Sequence, residues 1–445
     1  MPLPDLPVTE TLPELRSALA ARRRAVLVAP PGAGKTTIVP LALVDEDWLD
    51  GRRIVMLEPR RLATRAAARR MADLCGQAVG DLVGYQTRDE RHIGPDTRIE
   101  VVTEGILTRR LQNDPDLPGV GLVIFDEVHE RNLPTDLGLA LALDAAATLR
   151  PDLGILAMSA TADSASLATI LGDAELGDAP VVASEGRTFP VDVRWVPRER
   201  RDRIDDVVVR AVHSALRDET GDLLVFLPGI GEIMRAKSTL ESSVGPDVDV
   251  YPLAGALSLA EQDLALSPSP PGRRRVVLST DIAETSLTVD GVRVVVDSGL
   301  ARAPRFDTRT GMTRLTTITT SRSSAEQRAG RAGRTEPGVC YRLWSKIEHG
   351  SRAAHRTPEI DDVDLSGLVL EVAAWGTPLD ALAFPTPPPP KAVRAGEQLL
   401  HDLGALDADG RLTEIGRRML GLPVHPRLAR MLVAEPSPLG CALAV

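Results

Sequence analysis

The sequence predicts an α/β fold with two parallel-sheet domains, followed by a smaller module that is mostly helical. Short apolar runs recur along residues 1–350 with helical stretches between them, and a glycine-rich turn follows the first run. Apolar runs at this spacing indicate buried parallel strands joined by crossover helices. After residue 350 helical periodicity replaces this alternation, which predicts a different kind of module there.

The alternation divides into two series without a close sequence repeat. Residues 1–185 form the first predicted domain, with apolar runs at 25–29, 54–57, 99–102, 122–125 and 155–158. Residues 186–350 form the second, with its clearest strands at 223–227, 276–278 and 292–296 and a helix near 230–240.

Residues 351–424 are predicted to form a winged-helix-like module. Two amphipathic helices are expected at 365–374 and 393–403, and two short strands are expected around the Asp-Gly turn of 404–415 (GALDADGRLTEI). Residues 425–445 are expected to start a further helical, ratchet-like domain. Because the chain stops within that helical pattern, we expect the natural polypeptide to continue.

The composition is that of a soluble globular protein, with 43% hydrophobic and 26% charged residues. No apolar run is long enough to span a bilayer, and no secretory signal is visible. The three cysteines, Cys75, Cys340 and Cys441, are too far apart for a disulfide framework or a metal-binding pair. We therefore expect a cytoplasmic monomer without a membrane partner.

Residues 29–37 (APPGAGKTT) match a phosphate-binding loop, although Ala29 replaces its usual first glycine. Glycines let successive backbone N–H groups face phosphate oxygens, and the following helix adds a favourable dipole. Lys35 is expected to reach the β and γ phosphates, and the Thr36 hydroxyl to ligate Mg²⁺. The predicted nucleotide site comprises Gly32, Ala33, Gly34, Lys35, Thr36, Thr37 and Asp126.

Asp126 and Glu127 directly follow the apolar run 122–125. A carboxylate at the end of a strand, in a chain that carries a phosphate loop, is typical of a Mg²⁺ site. Asp126 is expected to hold the metal together with Thr36, and Glu127 to orient and activate the attacking water. A solvated acidic turn is the simpler alternative, and the phosphate loop disfavours it.

Three further segments carry a family resemblance, namely VIFDEVH (123–129), SAT (159–161) and QRAGRAGR (327–334). They resemble the superfamily 2 helicases, and in particular the DEAH branch. Among bacterial proteins the chain is most similar to the HrpB group. The resemblance extends, in the family's order, to LEPRRLAT (57–64), VTEGIL (102–107), LVFLPG (224–229) and TDIAETSLTVDG (280–291). It implies two RecA-like domains that bind ATP and Mg²⁺ between them and are followed along the chain by a winged-helix-like module.

The family's residue roles carry over onto matching positions. Arg331 and Arg334 are implied to be arginine fingers, and their spacing of three would place them on one face of a helix. Gln327 is implied to position the water, and His129 to couple the metal site to the second domain. Ser159 and Thr161 are implied to couple hydrolysis to strand movement. The implied contacts with the nucleic-acid backbone are Arg60, Thr103, Thr280 and Thr288.

Two features refine this interpretation. Residues 300–321 predict a β-hairpin, which in the family separates strands or grips the translocating one. The segment before TDIAET lacks the phenylalanine that sandwiches the base in many relatives, and Leu266 stands there instead. We therefore expect weak base selectivity, so that other nucleoside triphosphates substitute for ATP.

The resemblance favours an ATP-dependent helicase or translocase that moves 3′ to 5′ on single-stranded nucleic acid, with RNA favoured over DNA. An RNA–protein remodelling ATPase with little duplex unwinding stays open, since it uses the same chemistry. A nucleic-acid-binding scaffold with an inactive ATP site is a third alternative. The intact Lys35, Asp126 and Glu127 disfavour it.

The net charge of −10, taken alone, argues against a nucleic-acid partner. Residues 298–346, however, contain ten Lys and Arg against three Asp and Glu, a net charge of +7. We expect this stretch to form a basic track that binds the phosphate backbone. Aromatic residues make up only 3% of the chain, so base stacking should contribute little.

Overall fold

The computed structural model describes residues 4–161, 164–173, 175–186, 189–199, 201–284, 287, 289–307 and 311–444. It confirms the predicted α/β class, with two parallel sheets followed by a helical module. None of the helices in these ranges is both long and apolar enough to cross a membrane.

The first domain is one open sheet covered by helices on both faces. Its strands are β1 (Arg24–Val28), β2 (Arg53–Leu57), β3 (Val83–Gln86), β4 (Arg91–His92), β5 (Ile99–Val102), β6 (Val120–Phe125), β7 (Gly154–Ser159) and β8 (Val181–Ala183). Its helices are α1 (Leu12–Arg22), α2 (Lys35–Leu43), α3 (Arg61–Cys75), α4 (Glu104–Asn113), α5 (Leu133–Thr148) and α6 (Ala165–Leu171). The strand order is β4-β3-β5-β2-β6-β7-β1-β8.

The central strands β6 and β7 are buried at every position, which explains their uninterrupted apolar sequences. β1 pairs in parallel with β7, and β7 with β6. The carboxyl ends of these three strands therefore meet at one edge of the sheet. The phosphate loop, the DEVH segment and the SAT segment all begin at that edge, as expected for a ligand site of an α/β sheet.

The second domain repeats this architecture on a smaller scale. Its strands are β9 (Val191–Trp195), β10 (Asp222–Phe226), β11 (Val248–Leu253), β12 (Arg274–Ser279), β13 (Val292–Asp297), β14 (Leu300–Asp307), β15 (Met312–Thr319) and β16 (Gly338–Arg342). Its helices are α7 (Ile204–Asp218), α8 (Ile230–Glu241), α9 (Leu259–Leu266), α10 (Arg322–Gly330) and α11 (Lys346–Ser351). Six strands form a parallel sheet in the order β11-β12-β10-β13-β16-β9.

β14 and β15 leave this sheet as a separate antiparallel pair, in agreement with the predicted hairpin. Their register runs from Leu300 opposite Thr319 at the root to Asp307 opposite Met312 near the tip. Residues 308–310, which include Thr310 of the predicted turn, lie outside the described part of the chain.

The C-terminal module contains α12 (Glu359–Asp362), α13 (Ser366–Trp375), α14 (Pro390–Asp402), α15 (Glu414–Leu420), α16 (Pro426–Ala434) and α17 (Pro438–Ala444). α13 is apolar on two faces. Leu368 and Val372 join the core of the first domain, whereas Leu370 packs with Leu400 and Met419 in the module's own cluster. The module is thereby fixed against the first domain.

In place of the two strands predicted within 404–415, the structure has a single antiparallel bridge between Leu406 and Leu412. The Asp407 carboxylate accepts hydrogen bonds from the backbone N–H groups of Asp409, at 2.9 Å, and Arg411, at 2.8 Å. Such side-chain bonds to the backbone close a tight loop and compete with a strand ladder. The wing of this module is therefore shorter than predicted.

Candidate nucleotide site and nucleic-acid channel

The phosphate loop lies between β1 and α2. Gly32 and Gly34 have φ angles of +87° and +93°, which residues with a side chain rarely adopt. A Cβ atom on Gly34 would also lie only 2.8 Å from Leu6 Cδ1. The backbone conformation and the N-terminal segment packed behind the loop therefore both require a glycine at position 34.

That N-terminal segment is a part of the site that the sequence did not indicate. The backbone N–H of Val8 donates a 3.1 Å hydrogen bond to the carbonyl oxygen of Ala33, within the phosphate loop. Val8 is fully buried, and Leu6 packs against the same apolar cluster. The apolar residues before α1 were the available signal, but no motif marks them as neighbours of residue 34.

Lys35 lies between the two predicted carboxylates. Its Nζ is 2.7 Å from Glu127 Oε1 and 3.6 Å from Asp126 Oδ1, and all three side chains are buried. Burial would lower the pKa of Lys35, but the charges of Asp126 and Glu127 raise it above its usual value. Burial opposes ionisation of Glu127 as well, yet the nearby Lys35 lowers the pKa of that carboxyl. The neighbouring ammonium group therefore holds Glu127 ionised.

Asp126 is the less compensated carboxylate. Burial raises the pKa of Asp126, and Lys35 only partly offsets this effect. Its Oδ2 accepts a 2.5 Å hydrogen bond from the Thr36 hydroxyl. An alcohol oxygen beside a buried carboxylate is a donor set that suits Mg²⁺.

No group of three or more His, Cys, Asp and Glu side chains that could hold a metal occurs within the described ranges. Thr36 and Asp126 are the residues that would hold Mg²⁺, which in nucleotide sites commonly uses few protein ligands.

His129 of the first domain and Gln327 of the second line the same cavity. This cavity has a volume of about 100 Å³, and Ser159 and Thr161 line it as well. The backbone N–H of Ala160 donates to His129 Nδ1 at 3.2 Å, which leaves the ring proton on Nε2. Within the described part of the chain, His129 Nε2 and Gln327 Nε2 are buried atoms without a hydrogen-bond partner. Buried polar atoms of this kind fit an ordered water or a ligand oxygen.

Ser159 and Thr161 connect this cavity to the phosphate loop. The Ser159 hydroxyl accepts the backbone N–H of Thr161 at 3.2 Å, and the Ser159 carbonyl oxygen accepts the N–H of Ala29 at 3.0 Å. The end of β7 is thus bonded directly to the first residue of the loop. This contact suits the predicted coupling role of the SAT segment.

The α-helix predicted through Arg331 and Arg334 ends at Gly330, and Arg331–Gly333 forms a single 3₁₀ turn. The glycines at 330 and 333 lower the helix propensity of this stretch, which accounts for the difference. Arg334 directly follows this turn, so the two arginines are not both part of one regular helix.

The two arginines have different neighbours. Arg334 lies over the phosphate loop, since a Cβ atom built on Gly32 would be 3.8 Å from Arg334 Nε. Arg331 instead donates to the carbonyl oxygens of Glu284 at 2.8 Å and Leu287 at 2.6 Å. Burial lowers the pKa of both guanidinium groups, that of Arg334 to about 10. The second domain therefore brings buried positive charge to the position where phosphates are predicted.

Arg328, in the same segment, is fully buried inside the second domain. Its guanidinium donates to Glu284 Oε2 at 2.8 Å and to Asp297 Oδ1 at 3.0 Å, and it lies over the Phe226 ring. It therefore faces neither nucleotide nor nucleic acid and stabilises the domain itself.

The predicted nucleic-acid contacts lie near a second cavity between the domains, of about 450 Å³. Arg60 and Thr280 line it, and Thr103 directly precedes another lining residue, Glu104. Thr288 lies outside the described residues. We call this cavity the interdomain channel.

Sequence reasoning missed the acidic residues of the interdomain channel. Four carboxylates line it, namely Glu104, Glu130, Asp281 and Glu359. Burial raises the pKa of Glu104 to about 7, even though the Thr135 hydroxyl donates to it at 2.7 Å. Each of the first three adjoins or belongs to a recognised segment, which was the available signal.

Three protein families match the chain. The DEAD/DEAH box helicase family matches residues 10–170, the helicase conserved C-terminal domain matches 203–336, and the winged helix of the helicase-associated domain (HA2) matches 396–424.

Two curated relatives illustrate how far the similarity extends. The ATP-dependent RNA helicase HrpB of Escherichia coli is 50% identical over 431 residues, which are 97% of this chain and 52% of that protein. The probable ATP-dependent RNA helicase DHX34 of Homo sapiens is 37% identical over 96% of this chain and 38% of its own length. The chain therefore spans about half the length of the first relative and less of the second.

A crystal structure of the Escherichia coli DEAH/RHA helicase HrpB superposes with a TM-score of 0.91 at 49% identity. The match covers 99% of this chain and 55% of the crystallised one.

Proposed function

We propose that this chain, which matches the DEAD/DEAH box helicase and helicase C-terminal domain models, hydrolyses ATP between its two sheet domains to move along single-stranded RNA. The observation that carries this proposal is the meeting of two sets of residues across one cleft. Lys35, Asp126 and Glu127 come from the first domain, and Arg334 reaches Gly32 from the second.

The first domain would bind and activate the reactants. Backbone N–H groups of 32–37 and the Lys35 ammonium group would hold the β and γ phosphates. Mg²⁺, held through Thr36 and Asp126, would neutralise phosphate charge. Glu127, released from Lys35 as that ammonium group turns to the phosphates, would accept the proton of the attacking water. His129 and Gln327, whose unpaired nitrogen atoms line one cavity, would orient that water.

The second domain would complete the site on closure. Arg334 would stabilise charge that develops on the γ phosphate, and Arg331 would join it after leaving the carbonyl oxygens of Glu284 and Leu287. Those carbonyl groups belong to the segment that begins at Thr280 in the interdomain channel. Strand binding and positioning of Arg331 would thereby be coupled through one short stretch of backbone.

RNA is the proposed substrate because both curated relatives carry the name RNA helicase. The 3′-to-5′ direction and the β14–β15 hairpin as the gripping or separating element follow from the family resemblance. We propose weak base selectivity as well, since Leu266 packs against the core of the second domain.

Steady-state ATPase measurements with single-stranded RNA and with single-stranded DNA, side by side, test this proposal. We expect RNA to stimulate hydrolysis more than DNA. Duplexes with a 3′ or a 5′ overhang test movement, and only the 3′ overhang should support strand displacement. A GTP rate far below the ATP rate would contradict the proposed weak base selectivity.

The other outcomes separate the alternatives. RNA-stimulated hydrolysis without displacement from either overhang would favour an RNA–protein remodelling ATPase. Strand binding without any hydrolysis would leave a scaffold with an inactive nucleotide site.

A further inference from the structure

The interdomain channel is lined by more acidic than basic side chains. Four carboxylates face two guanidinium groups, those of Arg60 and Arg356. A nucleic-acid backbone is a row of negative charges, so a channel of this composition opposes its ligand unless the carboxylates are differently placed. The positions of the individual groups therefore decide how a strand could be held.

Arg60 is held from two sides. Its Nη2 lies 3.0 Å from Oε1 of Glu130, which belongs to the first domain. Its Nη1 donates to the backbone carbonyl oxygen of Asp281, which belongs to the second domain. Its Nη2 is also 3.9 Å from the carboxylate Oδ2 of Asp281. Burial would lower the pKa of Arg60, but Glu130 and Asp281 raise it above its usual value.

The Asp281 carboxylate also attracts the other arginine of the channel. Arg356, in the segment that leads to the C-terminal module, has its Nη2 3.7 Å from the same Oδ2 atom. Asp281 thus lies between two arginines that come from different parts of the molecule, at distances longer than a good hydrogen bond. A single carboxylate is the shared counterion of both.

Exposure distinguishes Asp281 from the second partner of Arg60. The Glu130 side chain is 5% exposed, whereas that of Asp281 is 31% exposed and that of Arg356 is 34% exposed. A ligand from solvent can therefore reach the Asp281–Arg356 pair without opening the Arg60–Glu130 pair. Weak, solvent-accessible ion pairs of this kind exchange partners at little cost in free energy.

We propose that Asp281 competes with nucleic-acid phosphates for Arg60 and Arg356, and so limits how tightly the channel binds a strand. This inference rests on the proposed function, because it takes the channel to be the strand site. A phosphate group would replace the carboxylate between the two guanidinium groups. On release the carboxylate would return to them, which favours dissociation and discourages binding of unrelated polyanions.

The test compares the affinity of the whole chain for a fluorescent single-stranded RNA between wild type and Asp281→Asn, without nucleotide. Asn keeps the side-chain size and the backbone carbonyl that receives Arg60, and removes only the charge. We expect Asp281→Asn to bind RNA about three- to tenfold more tightly at low salt. Its affinity should also depend more steeply on salt, by about 0.7 in the logarithmic slope, as for one further phosphate contact.

Two further variants serve as controls. Asp249→Asn makes the same change in net charge on the same domain, where Asp249 pairs with Arg273, and should bind like the wild type. Asp281→Glu restores the charge and should bind less tightly than Asp281→Asn. Since the expected effect is a gain in affinity, loss of folding cannot produce it.

Failure of this inference and failure of the proposed function would give different binding results. If the wild type binds RNA and Asp281→Asn binds equally or more weakly, the competition is absent and this inference is wrong. An equal gain in Asp249→Asn would also contradict it, because total charge would then suffice as the cause. If neither the wild type nor the variants bind a single strand, the proposed function itself fails.

Discussion

Lys35 Nζ lies 2.7 Å from Glu127 Oε1 and 3.6 Å from Asp126 Oδ1, so one ammonium group serves both carboxylates of the DEVH segment. The residue proposed to hold phosphate is thus paired with the residue proposed to activate water. ATP would draw Lys35 towards its phosphates and leave Glu127 free to accept a proton.

Lys35→Ala should lower the affinity for ATP at least about tenfold, because a charge-assisted phosphate contact is lost. Binding of a fluorescent ATP analogue measures the effect. Lys237→Ala is the matched control, since Lys237 pairs with Glu241 along α8, outside the phosphate loop. An unchanged affinity in Lys35→Ala would remove this loop from the nucleotide site.

Arg334→Ala should reduce kcat for ATP hydrolysis at least about 100-fold and change KM less than about threefold. The reason is that a finger acts on charge that develops only in the transition state. Steady-state kinetics with saturating RNA measure both constants. Arg411→Ala, an exposed arginine of the C-terminal module, should behave like the wild type. A rise in KM at constant kcat would instead make Arg334 a binding residue.

Arg328→Ala should destabilise the protein by about 3–5 kcal/mol, since it leaves the carboxylates of Glu284 and Asp297 buried without their cation. Thermal or urea denaturation measures the loss. Arg217→Ala, which removes an exposed ion pair with Asp218 and an exposed hydrogen bond to Ser214, should have little effect. Wild-type stability in Arg328→Ala would contradict the structural role assigned to this arginine.

Glu104→Gln should make stability less dependent on pH. The pKa of Glu104 is raised from its ordinary value of 4.5 to about 7. Between these two pH values the folded state therefore holds a proton that the unfolded state has released. Its stabilising contribution is therefore complete below about pH 4.5 and is lost as the pH rises through about 7.

Denaturation of wild type and Glu104→Gln between pH 5 and 8 checks this sign. The wild type should lose about 1–2 kcal/mol relative to the variant over that range, because partial contact of Glu104 with solvent reduces the full effect. Parallel stability curves for the two proteins would show that Glu104 titrates normally.

Local patterns were sufficient for the parts of the fold and site that depend on neighbouring residues. The phosphate loop follows from glycines at fixed positions before Lys35, and the buried strands follow from apolar runs such as 122–125. The single bridge at 404–415 was missed because one side chain, Asp407, decides the geometry of that loop.

Long-range pairing was beyond the reach of sequence patterns. The contact of Arg60 with Asp281 joins residues 221 positions apart, and no spacing rule indicates it. The expected basic track is also weaker than the +7 net charge of 298–346 suggests. Arg328, Arg331 and Arg342 of that stretch are buried and bonded within the second domain, so they cannot face a strand.

In the proposed mechanism Glu127 activates water for RNA-coupled hydrolysis of ATP. Single-turnover hydrolysis of ATP by wild type and Glu127→Gln, with and without single-stranded RNA, tests it most directly. We expect Glu127→Gln to bind ATP within about threefold of the wild type, yet to hydrolyse it at least about 100-fold more slowly, with or without RNA. Full turnover by Glu127→Gln would contradict the mechanism.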